Sequence, residues 1–313
     1  MTGQEKALLR TIYFYKIAIS MQCLETYAYE YTKKKLLKEV LDSIGSTYSI
    51  SDEKNIIIET IENTDTYYFA SIGKLENSKN TILTRFRTPT MEKRPYSLPG
   101  NSLLEMYTYF YLDYETGYMA VLDNNEAPKP PRYLQSLFSK ELAGKFSGTV
   151  KVYPIRMKDV GQYLHKFQKL NEISFTFANA QQGTDKYLMP TLRELSNHID
   201  ADVSRLKVTL KLDECPVSHT LLKHILSWEQ ADGFSDVFVK GEYMNSNVPD
   251  VVDIFKRSLT RRVRIPLAED ELIYAEKDMR EKEKTIQTIL QHNLLTDVIG
   301  NAGNVDTGEQ GVC

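Results

Sequence analysis

The stretch SLLEMYTYFYLDYETGYMAVLD, residues 102–123, decides the fold class of this 313-residue chain. Two runs rich in aromatic and apolar residues, YTYFYL and YMAVL, flank a short turn from Asp113 to Gly117. Two such runs around a glycine-containing turn are typical of a β-hairpin, whose two strands are antiparallel. The stretch therefore predicts antiparallel pairing rather than the parallel pairing of a doubly wound fold.

Outward from this hairpin, further strands and helices follow without strict alternation. The runs EKNIIIETIENT (53–64) and TYYFASIGKL (66–75) predict a second hairpin. Residues 10–20 predict a strand, and residues 29–44 predict a helix with Gly45 as its C-cap. The mixture predicts an α+β fold, with a mixed, largely antiparallel sheet, helices packed on it and a C-terminal helix.

The second half of the chain repeats this mixture of patterns. Residues 147–178 predict a strand, a helix over 159–170 (DVGQYLHKFQKL) and a second strand, EISFTFA. Residues 251–267, VVDIFKRSLTRRVRIPL, predict a helix that turns into a strand. The other predicted elements are helices at 132–142, 190–199, 218–231 and 268–292, strands at 205–213 and 234–244, and a proline-rich loop at 88–101.

The length of the chain predicts two domains followed by a short tail. Residues 1–146 form an N-terminal α+β half with the hairpin elements. Residues 147–298 form a C-terminal α+β half with a basic segment and the terminal helix. Residues 299–313, IGNAGNVDTGEQGVC, contain few apolar side chains to bury and are expected to be disordered.

Composition limits the classes of function. Lys and Arg number 39 against 42 Asp and Glu, so the formal net charge is −3 and a nucleic-acid site has to be a local patch. No run reaches 18 apolar residues and no secretory leader is visible, so a membrane partner is not expected. Three widely spaced cysteines without a CxxC pair favour a reducing cytoplasm and argue against a zinc ribbon.

Motifs of catalysis and cofactor binding are not found in the sequence. It has no GxGxxG, GxxxxGK[ST], HExxH or GxSxG string, so no catalytic residue, metal or cofactor is predicted. His219 and His224 are five residues apart, which does not suit one face of a helix. One enzymatic alternative stays open, a metal-dependent nuclease that uses Asp250, Asp253 and Lys256.

The strongest charge feature lies in residues 251–264. Five basic residues stand there against one acid, Asp253, for a local charge of +4. Guanidinium and ammonium groups at this density match phosphate oxygens. The predicted DNA-binding residues are Lys256, Arg257, Arg261, Arg262 and Arg264.

The arrangement of these basic residues depends on the local structure. A helix would bring Arg257, Arg261 and Arg264 to one face, whereas a strand would bring Arg262 and Arg264 together. The alternative to phosphate binding is structural ion pairing with the acids of residues 269–283. The DNA-binding hypothesis predicts that Arg257, Arg261 and Arg264 share a positive surface with no acid within ion-pairing reach.

The tyrosines of the central hairpin suggest a different kind of partner. Of 20 tyrosines in the chain, five lie at alternate or near-alternate positions between residues 107 and 118. Tyrosine is enriched at protein interfaces. The alternative function is therefore an adaptor or inhibitor that presents this hairpin and the loop at 88–101 to a second phage or host protein.

The order of the segments resembles that of the RexA-like phage-exclusion proteins and related prophage-encoded families. Four stretches carry the resemblance: RTIYFYKIAIS, the hairpin with its following EAPKPPRYLQSLFS, TVKVYPIRMKDVGQYLHKFQKLNEISFTFA, and GEYMNSNVPDVVDIFKRSLTRRVRIPL with the last helix. The resemblance implies a homodimer that associates with duplex DNA in phage–host conflict, without catalytic chemistry. The positions that best suit this contact are Lys256 to Arg264.

Overall fold

The computed structural model describes most of the chain in eleven segments. They are residues 7–21, 33–50, 55–76, 85–87, 93–95, 104–143, 148–178, 205–227, 234–243, 248–266 and 276–306. The predicted helix at 190–199 and most of the predicted loop at 88–101 lie outside these segments.

The elements follow one another in chain order as predicted for an α+β chain. The helices are α1 (Lys33–Ser43), α2 (Pro130–Ala143), α3 (Val160–Leu164), α4 (His219–Ser227) and α5 (Glu276–Asn293). The first eight strands are β1 (Ala7–Met21), β2 (Thr47–Ser49), β3 (Ile56–Asn63), β4 (Tyr67–Glu76), β5 (Arg85–Arg87), β6 (Lys93–Pro95), β7 (Leu104–Asp113) and β8 (Tyr118–Leu122). The others are β9 (Gly148–Pro154), β10 (Arg156–Met157), β11 (Phe167–Ala178), β12 (Arg205–Pro216), β13 (Phe234–Tyr243), β14 (Asp250–Asp253), β15 (Thr260–Pro266) and β16 (Val305–Asp306).

The chain divides into two compact units. The hairpin unit comprises residues 14–153, 270–300 and 309–313, and the basic unit comprises residues 1–13, 154–269 and 301–308. The chain passes from one unit to the other within β1. Helix α5 belongs to the hairpin unit, whereas the division made from sequence placed it in the C-terminal half.

The hairpin unit is built on an antiparallel sheet in the order β1–β8–β7–β4–β3–β2, with β9 also paired to β1. Strands β3 and β4 form the second predicted hairpin, and β7 and β8 form the first. Gly117 closes the first hairpin at a φ of 68°, a conformation that L-residues rarely adopt. These pairings confirm the predicted antiparallel α+β fold.

Alternation along the strands gives this sheet two apolar faces. One face carries Tyr68, Ile72 and Phe110 and packs against α1 and α2. The opposite face carries Tyr67, Phe69, Tyr109 and Tyr111, and α5 lies against its strands β7 and β8. Helix α5 buries Ile286 and Leu290 and is followed by a π-helical turn, Leu294–Val298.

Two tyrosine hydroxyls in this unit, those of Tyr68 and Tyr67, make side-chain hydrogen bonds. Tyr68 is fully buried, and its hydroxyl lies 2.7 Å from Thr60 Oγ1. Burial raises the pKa of Tyr68 to about 12. On the other face, Gln287 Nε2 of α5 donates to Tyr67 Oη at 3.0 Å and to Glu62 Oε2 at 2.6 Å. The Tyr68 hydroxyl thus joins β4 to β3, and the Tyr67 hydroxyl gives the sheet a polar contact with α5.

The basic unit contains a four-stranded antiparallel sheet in the order β12–β11–β13–β14. One face of this sheet carries Ile173, Phe175, Val237 and Val239, which are buried. Residues 7–13 of β1 pair with β15 in the same unit, and β10 pairs with β16. Residues 299–306, expected to be disordered, form a 3-10 turn and β16.

Two predicted helices are wrong in part. The helix expected over 159–170 ends at Leu164, because Phe167 already begins β11, a strand paired on both sides. The helix expected at the start of 251–267 is absent from the described chain there, since Asp250–Asp253 is strand β14. In both stretches the pairing with distant strands overrides the local helical pattern.

No helix in the described part of the chain is long and apolar enough to cross a membrane.

Candidate nucleic-acid interface

The predicted basic segment is a strand, a turn and a second strand. Strand β14 is followed by a turn over residues 254–256, and β15 begins at Thr260. Strand β15 pairs antiparallel with β1, so that Arg262 lies opposite Thr11 and Arg264 lies opposite Leu9. The extended alternative of the two predicted geometries is therefore the observed one.

The extended conformation separates the basic side chains onto two faces. Arg262 and Arg264 share one face of the ladder, because alternate residues of a strand point the same way. Arg264 is exposed and Arg262 is half-buried. Arg261 points to the opposite face with Val263 and Ile265, next to the fully buried Ile12. A helix would have placed Arg261 and Arg264 on the same face, whereas the strand places them on opposite faces.

Arg261 is held by a buried acid and an aromatic ring. Its Nη1 atom lies 3.4 Å from Oδ2 of Asp250, whose side chain is 3% exposed. Its guanidinium lies 4.5 Å from the ring centroid of Tyr243. Asp250 Oδ1 also accepts from the backbone N–H groups of Val251 at 3.0 Å and Arg262 at 3.3 Å. The pair therefore anchors β15 to β14, which is a structural role for Arg261.

Lys256 lies beside two acids but remains accessible. Its Nζ is 3.4 Å from Asp253 Oδ2 and 3.8 Å from Asp236 Oδ1, and it sits 5.8 Å from the ring centroid of Phe238. The side chain is 66% exposed, so these ion pairs are screened by water. Lys256 can therefore contact an additional anion at the surface.

Arg257 adopts a backbone conformation that favours glycine. Its φ is 52°, and it has the only positive φ among the described residues other than glycine. Its carbonyl accepts from Met157 N–H at 2.7 Å, and its own N–H donates to Asp253 at 3.0 Å. Its Nη1 donates to the carbonyl of Lys158 at 3.5 Å. The position thus carries a charged side chain although its left-handed backbone conformation favours glycine.

The contacts of Arg257 bring in two basic residues that the sequence analysis missed. Arg156 pairs with Ser258 across an isolated bridge, and Lys158 follows two residues later; both are exposed. The signal in the sequence was their alternate spacing just after Pro154. Asp306 of β16 lies opposite Arg156 of β10, so its negative charge reduces the positive charge of this part of the surface.

Ion pairs of the basic segment are made, among the described residues, with acids of the basic unit itself. Asp236, Asp250 and Asp253 of the basic unit make the observed ion pairs with Lys256 and Arg261. Of the acids of residues 269–283, those before Glu276 lie outside the described segments. The requirement that no acid lie within ion-pairing reach is therefore not met at Arg261.

The carboxylates of the nuclease alternative, Asp250 and Asp253, are engaged in structural contacts and do not converge on a metal site. Asp250 is buried and committed to Arg261 and two backbone N–H groups. Asp253 caps the turn through Oδ1, which accepts from Lys256 N–H at 2.9 Å. Within the described residues, no group of three or more His, Cys, Asp or Glu side chains is placed to hold a metal ion.

The tyrosine surface of the adaptor alternative is not exposed. Four tyrosines of the hairpin are buried and Tyr107 is half-buried; the buried ones are Tyr109, Tyr111, Tyr114 and Tyr118. The expectation of an exposed tyrosine surface is therefore wrong. The rings pack against strand neighbours, as Tyr111 does on Tyr67 at 5.0 Å between centroids.

Two histidines of the basic unit stack on each other. His165, at the end of α3, stacks on His219, at the start of α4, with ring centroids 6.0 Å apart. His219 therefore has His165 as its ring neighbour, and both side chains are exposed.

No protein-family model matches the chain, and a search of curated proteins finds no match either. The function of the basic segment therefore rests on its own geometry, and the similarity to RexA-like proteins stays a prediction.

Proposed function

We propose that this chain is a non-enzymatic, cytoplasmic protein of phage–host conflict that binds duplex DNA as a homodimer, without strong sequence preference. Arg262 and Arg264 make the central phosphate contacts. Arg257 and Lys256, from the preceding turn, add flanking contacts. Arg261 holds β15 in place through its ion pair with Asp250 and makes no direct contact with the DNA.

The observation that carries the proposal is the row formed by Arg262 and Arg264. From Ala7 opposite Pro266 to Tyr13 opposite Thr260, the described ladder has no acidic residue on the face of this row. The neighbours on that face are Leu9 and Thr11. Arg262 Nη1 also donates to the carbonyl of Pro249 at 3.4 Å, and Arg264 is exposed. Guanidinium groups at one surface match the geometry of phosphate oxygens.

The chemistry of this row suits phosphates better than base edges. Residues two apart on a strand are separated by about 7 Å, and the strand holds both guanidinium groups at one surface. Contacts from a short edge strand reach the sugar–phosphate backbone, and such contacts carry no sequence information directly. Binding through phosphates releases counterions and weakens with salt.

The test is fluorescence anisotropy of a labelled duplex of random sequence, titrated with the full chain between about 50 and 200 mM salt. With two to four phosphate contacts, the slope of log affinity against log salt is expected at about −2 to −4. Absence of binding at about 50 mM salt would overturn the proposal. Cleavage of the duplex that a chelator stops would instead support the nuclease.

A further inference from the structure

The outward face of β15 continues onto a second strand, β10. Ser258, which precedes β15, pairs with Arg156 of β10 in an isolated antiparallel bridge. Beside this bridge, the Met157 N–H donates to the Arg257 carbonyl at 2.7 Å. The side chains of two directly opposed strand residues project to the same face. Arg156 therefore lies on the same face as Ser258.

Burial shows that this face is the outer one. Ile155 and Met157 are buried, whereas Arg156 and Lys158, which alternate with them along the chain, are exposed. The Leu259 side chain of the facing segment is also buried. The two paired segments thus cover the core with one face and present Arg156 and Lys158 on the other.

Arg156 and Lys158 extend the row of Arg262 and Arg264. Ser258 stands four residues before Arg262, and residues at even spacing along an extended chain share a face. Four residues of extended chain span about 13 Å, so Arg156 is displaced from Arg262 by roughly that distance along the surface. Arg262 and Arg264 are about 7 Å apart. The cations of β10 are therefore placed for phosphates other than those beside β15.

Backbone contacts hold the cations near β10 without removing their charge. Arg257 Nη1 donates to the Lys158 carbonyl at 3.5 Å, and Lys158 Nζ donates to the Gly303 carbonyl at 3.2 Å. The neighbouring acid, Asp159, caps α3 by accepting from the Gln162 N–H at 3.3 Å. A carbonyl group accepts a hydrogen bond without neutralising the donor, so the positive charge of Lys158 remains.

The C-terminal strand β16 places an acid beside these cations. Asp306 lies opposite Arg156, and Val305 lies opposite Met157. Val305 is 2% exposed, so it anchors β16 in the core and fixes the position of Asp306. One opposite charge at an exposed site has a modest effect. Asp306 therefore lowers the positive charge at β10 and does not abolish it.

We infer that Arg156 and Lys158 form a second phosphate contact of the same DNA-binding surface, and that Asp306 limits its strength. This inference rests on the proposed function and adds to it the course of the duplex, which runs from Arg264 past Ser258 to β10. Contacts of this kind are made with the sugar–phosphate backbone and add to the salt dependence of binding.

The Arg156→Gln, Lys158→Gln double variant removes this contact and keeps polar side chains at both positions. In the anisotropy titration of the labelled random duplex, its salt slope is expected to be shallower by about one to two, and its affinity at about 50 mM salt about tenfold lower. Lys207→Gln, Lys211→Gln is the matched control, since it removes two exposed lysines from β12 of the same unit. The control is expected to keep the full slope.

Asp306→Asn tests the same contact in the opposite direction. It is expected to raise the affinity for the duplex at about 50 mM salt by about two- to threefold, because the charge opposite Arg156 is removed. Asp213→Asn, at an exposed acid of β12, changes the net charge equally and is expected to leave the affinity unchanged. A gain in affinity cannot come from a loss of folding, so Asp306→Asn separates a phosphate contact from a structural role.

The outcomes for this inference and for the proposed function are distinct. An unaltered chain that does not bind the duplex overturns both. If the Arg262→Gln, Arg264→Gln variant loses slope while the variant of Arg156 and Lys158 keeps it, only this inference is overturned. An Asp306→Asn chain that binds no more tightly than the Asp213→Asn control also overturns it.

Discussion

Arg261 and Asp250 form an ion pair that joins two strands of the basic segment, with 3.4 Å between Nη1 and Oδ2. The Asp250 side chain is 3% exposed and that of Arg261 is 24% exposed. A carboxylate buried to this degree depends on its partner, because the ionised group has lost its hydration. The most basic stretch of the chain therefore contains one arginine whose role is to neutralise a buried acid.

Arg261→Glu is expected to destabilise the chain by about 3 kcal/mol, because it leaves two acids facing each other in a buried site. Arg262→Glu, one residue along on the outward face, is expected to cost less than about 1 kcal/mol. Chemical denaturation of the two variants measures the difference. Equal stability of the two would show that the Arg261–Asp250 pair does not anchor β15.

The Arg262→Gln, Arg264→Gln double variant tests the phosphate contacts without adding charge repulsion. It is expected to reduce the salt slope of DNA binding by about two and to lower affinity at low salt by about tenfold or more. Lys223→Gln, an exposed lysine removed from β15 in sequence, serves as the control and keeps the full slope. A double variant with the unaltered slope would place the DNA contact elsewhere.

Arg257→Gly separates the backbone role of this position from its charge. A left-handed L-residue costs about 1 kcal/mol, and the extra freedom of glycine in the unfolded chain costs about as much. The free energy of unfolding is therefore expected to change by less than about 0.5 kcal/mol, while the affinity for DNA falls.

Arg257→Ala completes the comparison. It removes the same charge and keeps the strained φ of 52°. It is expected to lower DNA affinity as much as glycine does, with a stability no higher than that of the unaltered chain. If the DNA affinities of the two variants differ in step with their stabilities, although both lack the charge, a direct contact by Arg257 would be contradicted.

Local signals in the sequence were sufficient wherever a single element decides its own conformation. Gly45 ends α1 at a φ of 68°, as its predicted C-cap role requires. Ser218 caps the N-terminus of α4, with its Oγ accepting from Leu221 N–H at 3.2 Å. The alternating tyrosines correctly indicated a strand. The burial of both faces of that strand could not be predicted from them, because the second face is covered by α5 from the far end of the chain.

Distant pairing explains what the sequence did not reveal. Strand β15 takes its register from β1 at the other end of the chain, and no local window contains that partner. Acids of β13 and β14 likewise lie within ion-pairing distance of Lys256 and Arg261, and Asp236 of β13 is 20 residues from Lys256 in sequence. The five basic residues were therefore found from composition, whereas their division between structure and surface required the fold.

Three glutamates meet on the α5 side of the hairpin unit. Glu59 lies on β3 in the cross-strand row of Ser71 and Tyr109, and Glu105 covers Gly73 in the space that a Cβ atom would take. Glu283 comes from α5. Burial, and then the charge of Glu59, raises the pKa of Glu105 and of Glu283 above the ordinary value of 4.5.

Glu59→Gln is therefore expected to stabilise the chain near pH 7. A carboxyl whose folded pKa is raised contributes stability that is complete below its unfolded pKa and is lost as the pH rises through the folded pKa. Removing the Glu59 charge weakens the second cause of that rise, so a gain of a few tenths of a kcal/mol, about 1 °C in Tm, is expected at pH 7. The gain should vanish near pH 3, well below the unfolded pKa, where the neighbouring glutamates are protonated in both states. Thermal unfolding at the two pH values measures this, with Glu126→Gln, an exposed glutamate of a loop, as the control. A gain of equal size at both pH values would show that the repulsion from Glu59 is not its source.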